Sequence, residues 1–285
     1  MVSFDWFFLK VLILCFSLQM TKLITSPQNS FVKSLIQLRD KSRNRRQSGQ
    51  FIIEGKRELT IALTHNYQLE QLLLCTDVLS QQELDHWSSS PTKELIHINR
   101  EVYAKFALRD STEGVLAVAS AKSHDLKALS LTSAAPLLLV AEAPEKPGNI
   151  GALLRTADAA NLDGVIIANP KTDLYNPNII RASVGCLFSN QVATGTTEEV
   201  LEFLKQHNIR SFAACLKDAL PYHQQDYTGS AALVVGTEAD GLSQHWLSGA
   251  DARIKIPMQG SIDSMNVSVA AGILIFEAKR QRNFK

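Results

Sequence analysis

Five apolar segments in the C-terminal half of the chain constrain its fold more than any other feature. They are continuous apolar runs rather than alternating patterns, which is typical of strands buried on both faces of a parallel sheet. The segments are residues 136–142, 164–168, 211–216, 231–236 and 252–256, and the helices predicted between and after them are residues 149–161, 177–187, 197–207 and 265–281. This pattern predicts an α/β domain with a doubly wound parallel sheet.

The N-terminal half shows the same alternation on a smaller scale. Short strands and helices are predicted at 51–55, 58–65, 69–75, 80–90, 95–98 and 114–119. We therefore predict a small α/β domain over residues 21–120 and a linker over 121–135, where serine and alanine dominate. The larger domain then occupies residues 136–285.

Residues 1–20 need a separate interpretation. The apolar run at 4–18 has Asp5 near its start and Lys10 within it, and no small-residue cleavage site follows, unlike a signal peptide. It is also shorter than the roughly 20 residues of a membrane-spanning helix. We interpret residues 1–20 as an extra or non-native extension, with translation starting at Met20. A membrane or export element and a packed additional helix are the alternatives.

The composition excludes several classes of protein. The chain has 285 residues, 45% of them apolar, and a formal net charge of +1. Its cysteines are far apart, which favours free thiols in a cytoplasmic protein over a disulfide framework or a zinc site. They are Cys15, Cys75, Cys186 and Cys215. The histidines show no metal-ligand spacing, and neither GxGxxG nor a GxxxxGK[ST] phosphate loop occurs, so metal, NAD and ATP hydrolysis are disfavoured.

Three polar segments follow predicted strands. They are Asn149–Arg155, Gly236–Ser243, and Ile256–Met258 with Ser264–Ser268. Ligands of open parallel sheets bind outside the carboxyl ends of the strands, so we expect these segments to meet at one edge of the sheet. The first places an amide at a helix start and a guanidinium nearly two helical turns further along, which suits a polar or anionic substrate. The glycines of the second allow close backbone approach to a ligand, although each alone also fits a tight turn.

Together, the segments resemble the three motifs of the SpoU (TrmH-like) RNA 2′-O-ribose methyltransferases, in the SPOUT superfamily. The motifs are Asn-x-Gly-x-x-x-Arg, an apolar strand ending in Gly-x-Glu-x-x-Gly-Leu, and Ile-Pro-Met followed by Ser-Met-Asn-Val-Ser. All three occur in order, and the resemblance covers residues 136–282. Residues 22–120 more loosely resemble the substrate-binding domain of the rRNA-directed members, through Ser-Pro-x-Asn, a basic helix and Phe-Ile-Ile-Glu-Gly.

This resemblance implies a fold and a cofactor. The fold would be a C-terminal SPOUT domain with a parallel sheet and a deep trefoil knot, plus a small N-terminal L30e-like α/β domain that binds RNA. S-adenosylmethionine would bind in the knot, and the protein would be a homodimer with its last helix in the interface, without a metal or a membrane partner. The implied cofactor-binding residues are Leu216, Gly236, Gly241, Ile256, Met258 and Met265.

The resemblance also assigns a catalytic set, which is Asn149, Arg155, Glu238, Ser264 and Asn266. In the implied reaction the ribose 2′-oxygen attacks the methyl carbon of the sulfonium in line, and neutral S-adenosylhomocysteine leaves. Arginine has a pKa above about 12 and is a poor base at neutral pH. We therefore favour Arg155 as a group that binds the adjacent phosphate or the developing alkoxide, with Asn149 orienting it or the ribose. The role of general base that the resemblance gives to Arg155 is the alternative. Glu238 also fits a loop brace, and Ser264 a simple N-cap of the last helix.

A basic cluster in the N-terminal half is predicted to contact RNA phosphates, with an exposed solvated helix face as the alternative. It comprises Arg39, Lys41, Arg43, Arg45 and Arg46.

The sequence thus predicts a cytoplasmic, S-adenosylmethionine-dependent RNA 2′-O-ribose methyltransferase acting on 23S rRNA. A tRNA ribose methyltransferase, a resistance-type rRNA methylase and a non-catalytic RNA-binding protein on the same fold are the alternatives.

Overall fold

The computed structural model describes residues 22–107, 113–237, 239–261 and 264–285. The chain forms two compact units. One comprises the described residues up to Lys56 and those of Gln68–Ser120, and the other comprises Arg57–Tyr67 and Ala121–Lys285. The predicted N-terminal extension lies outside the described residues. Among the helices that are described, none combines the length and the apolar character needed to cross a membrane.

The N-terminal unit is built on a five-stranded mixed sheet in the order β1-β4-β3-β5-β2. The strands are β1 (Lys22–Ile24), β2 (Gln50–Glu54), β3 (Leu69–Cys75), β4 (Thr92–Ile98) and β5 (Val115–Ser120). The helices in this part of the sequence are α1 (Ser30–Asp40), α2 (Ser42–Ser48), α3 (Lys56–Thr64), α4 (Gln81–Ser88) and α5 (Arg100–Ala104). All of α3 after Lys56 belongs to the C-terminal unit. α1 buries Val32, Leu35 and Leu38, whose spacing places them on one helix face.

The C-terminal unit is built on a seven-stranded sheet in the order β10-β12-β9-β11-β6-β7-β8, with every described pair parallel. Its strands are β6 (Leu137–Glu142), β7 (Gly164–Ala168), β8 (Val192–Gly195), β9 (Arg210–Ala214), β10 (Leu220–Pro221), β11 (Ala231–Val235) and β12 (Ala252–Lys255). Its further helices are α6 (Pro147–Ala159), α7 (Pro177–Ala182), α8 (Cys186–Ser189), α9 (Thr197–Gln206), α10 (Gln244–Gly249) and α11 (Val267–Gln281), with 3-10 turns at Leu126–Ala128 and Tyr222–Gln224. The predicted α/β class and parallel sheet are confirmed.

The continuous apolar strands are buried as their composition predicts. Every residue of β6, β7 and β11 is buried. Leu138 and Val140 of β6 share one core with Val200 of α9 and Trp246 of α10. α6 and α11 pack against each other, and α11 also contacts β11. The helices that carry the first and third motifs therefore lie side by side in this unit.

Two predicted helices are each divided in the structure. The helix predicted over 177–187 becomes α7 and α8, because Val184 (φ +54°) and Gly185 (φ +84°) adopt left-handed backbone conformations that end α7. The basic helix breaks into α1 and α2 at Lys41, whose φ of −112° and ψ of 111° are extended. The sequence analysis also missed β8 and α10, which are only four and six residues long.

The predicted linker, residues 121–135, runs beside β8. The amide of Thr194 donates to the carbonyl of His124 at 2.7 Å, and the amide of Ser130 donates to the side-chain oxygen of Gln191 at 2.8 Å. A methyl group on Gly195 would lie 2.9 Å from the side chain of Leu126. This segment is therefore fastened to the C-terminal unit along much of its length.

Two glycines of α6 give a matched stability test. A methyl group on Gly151 would lie 2.4 Å from Cβ of Ala182, whereas one on Gly148 would meet nothing within 4 Å. Gly151→Ala is expected to destabilise the protein by about 1–3 kcal/mol through overpacking. Gly148→Ala is expected to stabilise it by up to about 1 kcal/mol, because alanine loses less entropy in a helix. Urea unfolding midpoints measure both, and midpoints that shift in the same direction would contradict this packing.

Candidate functional site

A cavity of about 670 Å³ lies at the carboxyl ends of β9, β11 and β12, three neighbouring strands of the parallel sheet. Its walls are the loops after these strands and the start of α11. All six residues predicted to bind the cofactor line it, namely Leu216, Gly236, Gly241, Ile256, Met258 and Met265. Ser264 lines it as well. The second and third motifs therefore form one concave surface.

The loop after β11 is folded tightly on itself. The amide of Thr237 donates to the carbonyl of Gly241 at 2.9 Å, and the amide of Gly241 donates back at 3.2 Å. Gly241 has a φ of +69°, a conformation that favours glycine. A methyl group on Gly236 would lie 2.2 Å from the carbonyl carbon and oxygen of Gly241 and 2.5 Å from the amide nitrogen of Leu242. This position consequently has no room for a side chain.

Charged groups of both signs border the cavity. Arg253 and Lys255 reach it from β12, and Asp218 and Asp240 from the loops. The Arg253 guanidinium donates to the carbonyl of Leu247 at 2.7 Å and lies 3.9 Å from the Asp218 carboxylate. A ligand with an apolar body and both positive and negative groups fits such a lining.

Cys215 also lines the cavity and is half-buried, and its burial raises the pKa of its thiol, which stays protonated at neutral pH. Cys75 and Cys186 are buried free thiols, and Cys15 lies outside the described residues. Within the described part of the chain, no group of three or more histidine, cysteine, aspartate or glutamate residues is arranged to hold a metal ion.

The first and third motifs meet through two amide side chains. The Asn266 amide donates to the side-chain oxygen of Asn149 at 3.2 Å. Asn266 is also the N-cap of α11, where its side-chain oxygen accepts from the amide of Ser268 at 2.9 Å. The interpretation of Ser264 as this N-cap is therefore wrong. Since Asn149 lies in the first turn of α6, this contact fixes the starts of α6 and α11 together.

Arg155 lies apart from this pair. It follows Asn149 by six residues, which on an α-helix corresponds to about 9 Å along the axis and about 120° around it. Its side chain is exposed, does not line the cavity, and forms no hydrogen bond or ion pair within the described ranges. Glu238, the remaining member of the predicted catalytic set, lies outside the described residues.

Comparison with known proteins decides the family. Residues 136–276 match the model of the SpoU rRNA methylase family, and residues 29–117 match that of the MRM3-like substrate binding domain. A 23S rRNA (uridine(2479)-2′-O)-methyltransferase of Streptomyces viridochromogenes is 30% identical over 85% of this chain and 86% of that protein. The chain belongs to the SpoU rRNA methylase family.

Other methyltransferases are similar to this protein over most of the chain. The 23S rRNA (guanosine(2553)-2′-O)-methyltransferase RlmP of Bacillus subtilis is 26% identical over 90% of this chain and 99% of that protein. A crystal structure of an RNA 2′-O ribose methyltransferase is 37% identical, with a TM-score of 0.79 over 92% of this chain and 99% of the other. The methyltransferase AviRb of Streptomyces viridochromogenes, in complex with AdoMet, gives a TM-score of 0.83 at 27% identity, over 90% and 99% of the two chains.

A buried carboxylate that the sequence analysis missed braces the SpoU domain beside the cavity. Glu142, at the end of β6, is 5% exposed. Its two oxygens accept from the hydroxyl of Thr197 at 2.8 Å and from the amide of Ser243 at 2.7 Å. Ser243 directly follows Leu242 of the cavity wall, so Glu142 links β6, the start of α9 and the second motif. The sequence signal that could have identified Glu142 is its position as an acidic residue at the end of the apolar strand β6.

The predicted basic cluster divides into three environments. Lys41, Arg43 and Arg46 are exposed. Arg39 has a side chain 19% exposed, and it pairs with Asp40 at 2.7 Å and donates to the carbonyl of Lys105 at 2.8 Å. Arg45 is 5% exposed, and its guanidinium donates to the carbonyls of Leu38 and Arg39 at the end of α1. Arg45 therefore stabilises the α1–α2 corner and is not available to a ligand, contrary to its predicted role.

Proposed function

We propose that this protein transfers a methyl group from S-adenosylmethionine to a ribose 2′-oxygen of 23S rRNA. The observation that carries the proposal is the cavity at the ends of β9, β11 and β12, which the second and third SpoU motifs line beside the Asn149–Asn266 pair. The RNA substrate is supported by the 23S rRNA methyltransferases among the relatives and by the match to a substrate-binding domain.

The cavity residues suit S-adenosylmethionine in size and in chemistry. Ligand cavities of about 300–1,000 Å³ hold molecules of this size. Leu216, Ile256 and Met258 offer apolar surface to the adenine. Arg253 and Asp218 offer opposite charges to the carboxylate and ammonium of the methionine part. When bound, S-adenosylmethionine supplies a methyl group that its positively charged sulfur activates toward attack by oxygen.

The catalytic roles follow from where the remaining side chains lie. We assign the exposed guanidinium of Arg155 to the phosphate beside the target ribose or to the negative charge that develops on its 2′-oxygen. Asn149 and Asn266, held together at 3.2 Å, orient the ribose at the mouth of the cavity. Ser264, in the cavity wall, shapes the ribose side of the site, and the family resemblance alone assigns a catalytic role to Glu238.

We further propose a cytoplasmic homodimer in which α11 forms the interface. Val269 and Phe276 are 53% and 44% exposed, and with the half-buried Ile273 they follow the i, i+4, i+7 spacing of one helix face. The opposite face is buried within the C-terminal unit through Ala271, Leu274, Ile275 and Ala278. The family resemblance supports a trefoil knot around the cavity and an L30e-like N-terminal domain. Light scattering would test the dimer.

Mapping of ribose methylation tests the function directly. RNA from cells with and without the gene is compared at every nucleotide, and the loss of one 2′-O-methyl group in 23S rRNA is expected. Loss of a 2′-O-methyl group from tRNA would instead show that the protein is a tRNA ribose methyltransferase. Purified protein that fails to bind S-adenosylmethionine in a calorimetric titration would show a non-catalytic RNA-binding protein on the same fold.

The exposed part of the basic cluster gives a further prediction. Replacing Lys41, Arg43 and Arg46 together with alanine is expected to weaken rRNA binding, and to reduce the slope of log affinity against log salt by about 0.7–0.9 for each phosphate that is no longer neutralised. The affinity for S-adenosylmethionine should not change. Filter binding of a 23S rRNA transcript over a range of potassium chloride measures this. An unchanged rRNA affinity would show that these cations are simply solvated.

A further inference from the structure

Helix α3 is a part of the N-terminal sequence that is fixed within the C-terminal unit. A methyl group on Gly185 would lie 3.2 Å from Cα of Glu58 and 3.1 Å from the side chain of Ile61, so α3 packs directly on the turn before α8. Beyond α3, the Tyr67 ring meets the Phe188 ring of α8 edge-on, with 4.9 Å between centroids. The Lys122 ammonium donates to the carbonyl of His65 at 2.7 Å.

The C-terminal end of α8 is fastened to α6, the helix that carries Arg155. The hydroxyl of Ser189 donates to the Asp158 carboxylate at 2.5 Å, and the Asn190 amide donates to the carbonyl of Leu154 at 3.0 Å. α3 and α6 therefore lie against one short element, α8. Arg57 lies in the first turn of α3 and Arg155 lies in α6, so each arginine belongs to a helix that contacts α8 or the turn before it.

The electrostatic surroundings of Cys186 agree with this placement. Burial raises the pKa of the Cys186 thiol, and Asp158 raises it further. The guanidinium groups of Arg57 and Arg155 both act in the opposite direction, so both lie within electrostatic range of the same sulfur atom. Asp158, which acts on the same thiol, accepts the hydrogen bond from Ser189.

Arg57 is exposed and positively charged, as is typical of a residue that binds an anion. Like Arg155, it is exposed and forms no hydrogen bond or ion pair with any residue of the described ranges. Two guanidinium groups that act on the same thiol add to the positive potential around α8, which favours a bound anion. Arginine matches the geometry of phosphate, to which it donates two parallel hydrogen bonds.

We propose that Arg57 binds a phosphate of the RNA substrate adjacent to the one that Arg155 contacts. The proposal rests on the proposed function, because RNA is the polyanion that would supply both phosphates. It makes α3 a substrate-binding helix of the C-terminal unit, separate from the exposed cations of α2 and the loop before it. Arg57 then anchors the RNA beside the site without touching the reacting atoms.

The test compares Arg57→Ala and Arg57→Lys with Lys205→Ala, which removes an exposed cation of α9 in the same unit. Binding of a full-length 23S rRNA transcript is measured by filter binding over a range of potassium chloride. Arg57→Ala is expected to weaken binding about five- to tenfold and to reduce the salt slope by about 0.7–0.9, the share of one phosphate contact. Arg57→Lys should keep most of the slope but lose part of the affinity, because it keeps the charge without the planar fork. Lys205→Ala should match the wild type.

Kinetics and cofactor binding separate an RNA contact from a structural role. Arg57→Ala is expected to raise KM for the transcript with kcat nearly unchanged, as for the loss of uniform substrate binding. Its melting temperature and its S-adenosylmethionine affinity should equal those of the wild type. An rRNA affinity and salt slope equal to wild type in Arg57→Ala would overturn the proposal, and so would a loss confined to stability or cofactor affinity. A wild-type protein that binds the transcript without methylating it would refute the proposed function alone.

Discussion

Arg155→Ala is expected to lower the rate of methyl transfer by roughly 100- to 1,000-fold, the loss typical when one preorganised charge-stabilising group is removed from an active site. The side chain is exposed and unpaired within the described ranges, so its removal should leave the fold intact. Arg155 also lies outside the cavity lining, so the affinity for S-adenosylmethionine should not change. Single-turnover rates on a 23S rRNA transcript and calorimetric titration of the cofactor measure the two effects.

Arg155→Lys separates the ways in which this residue can act. Lysine keeps the positive charge and loses the planar fork, so an intermediate rate is expected if Arg155 binds a phosphate or the developing alkoxide. If the side chain took the proton instead, the lysine variant would gain rate as its ammonium loses a proton at high pH. Lys205→Ala is the control for loss of a surface charge. Methylation at the normal rate by Arg155→Ala would contradict any catalytic role.

The architecture of the C-terminal unit could be predicted because it depends on local composition. β6, β7 and β11 are continuous apolar runs, and the structure buries each of them completely in a parallel sheet. The motifs after β11 and β12 could be placed at one sheet edge because parallel strands end together. β8 escaped prediction because its four residues, Val192–Gly195, include a threonine and a glycine and form no apolar run.

The features that could not be predicted depend on tertiary contacts. Arg45 has the same sequence surroundings as Arg43 and Arg46, and its burial follows from the corner at Lys41, which turns its guanidinium onto the last carbonyls of α1. The assignment of α3 to the C-terminal unit depends on its packing against Gly185, far away in the sequence. The contact between Asn149 and Asn266 joins residues 117 positions apart, which no local pattern predicts.

Gly236→Ala is expected to weaken S-adenosylmethionine binding by about five- to 150-fold. The added methyl group would lie 2.2 Å from the backbone of Gly241, so the loop after β11 must move. Overpacking of this kind costs about 1–3 kcal/mol, and the free loop avoids this cost by leaving its present conformation. Returning to that conformation to bind the cofactor then lowers the affinity, by about tenfold for each 1.4 kcal/mol. The clash is with backbone atoms rather than the end of a flexible side chain, so a rotamer change cannot relieve it. Calorimetric titration of the cofactor measures the loss.

The matched control is Gly260→Ala, in the loop that follows β12. A methyl group there would meet nothing within 4 Å, and Gly260 is not among the positive-φ glycines of the described residues. Its cofactor affinity should therefore equal that of the wild type. Two backbone hydrogen bonds between Thr237 and Gly241 close the β11 loop, which is part of the cavity wall. Since the added methyl group disturbs this loop and not the buried strands, Gly236→Ala should change the cavity wall more than it changes global stability. An unchanged cofactor affinity in Gly236→Ala, with its unfolding midpoint preserved, would show that this loop does not form the binding surface.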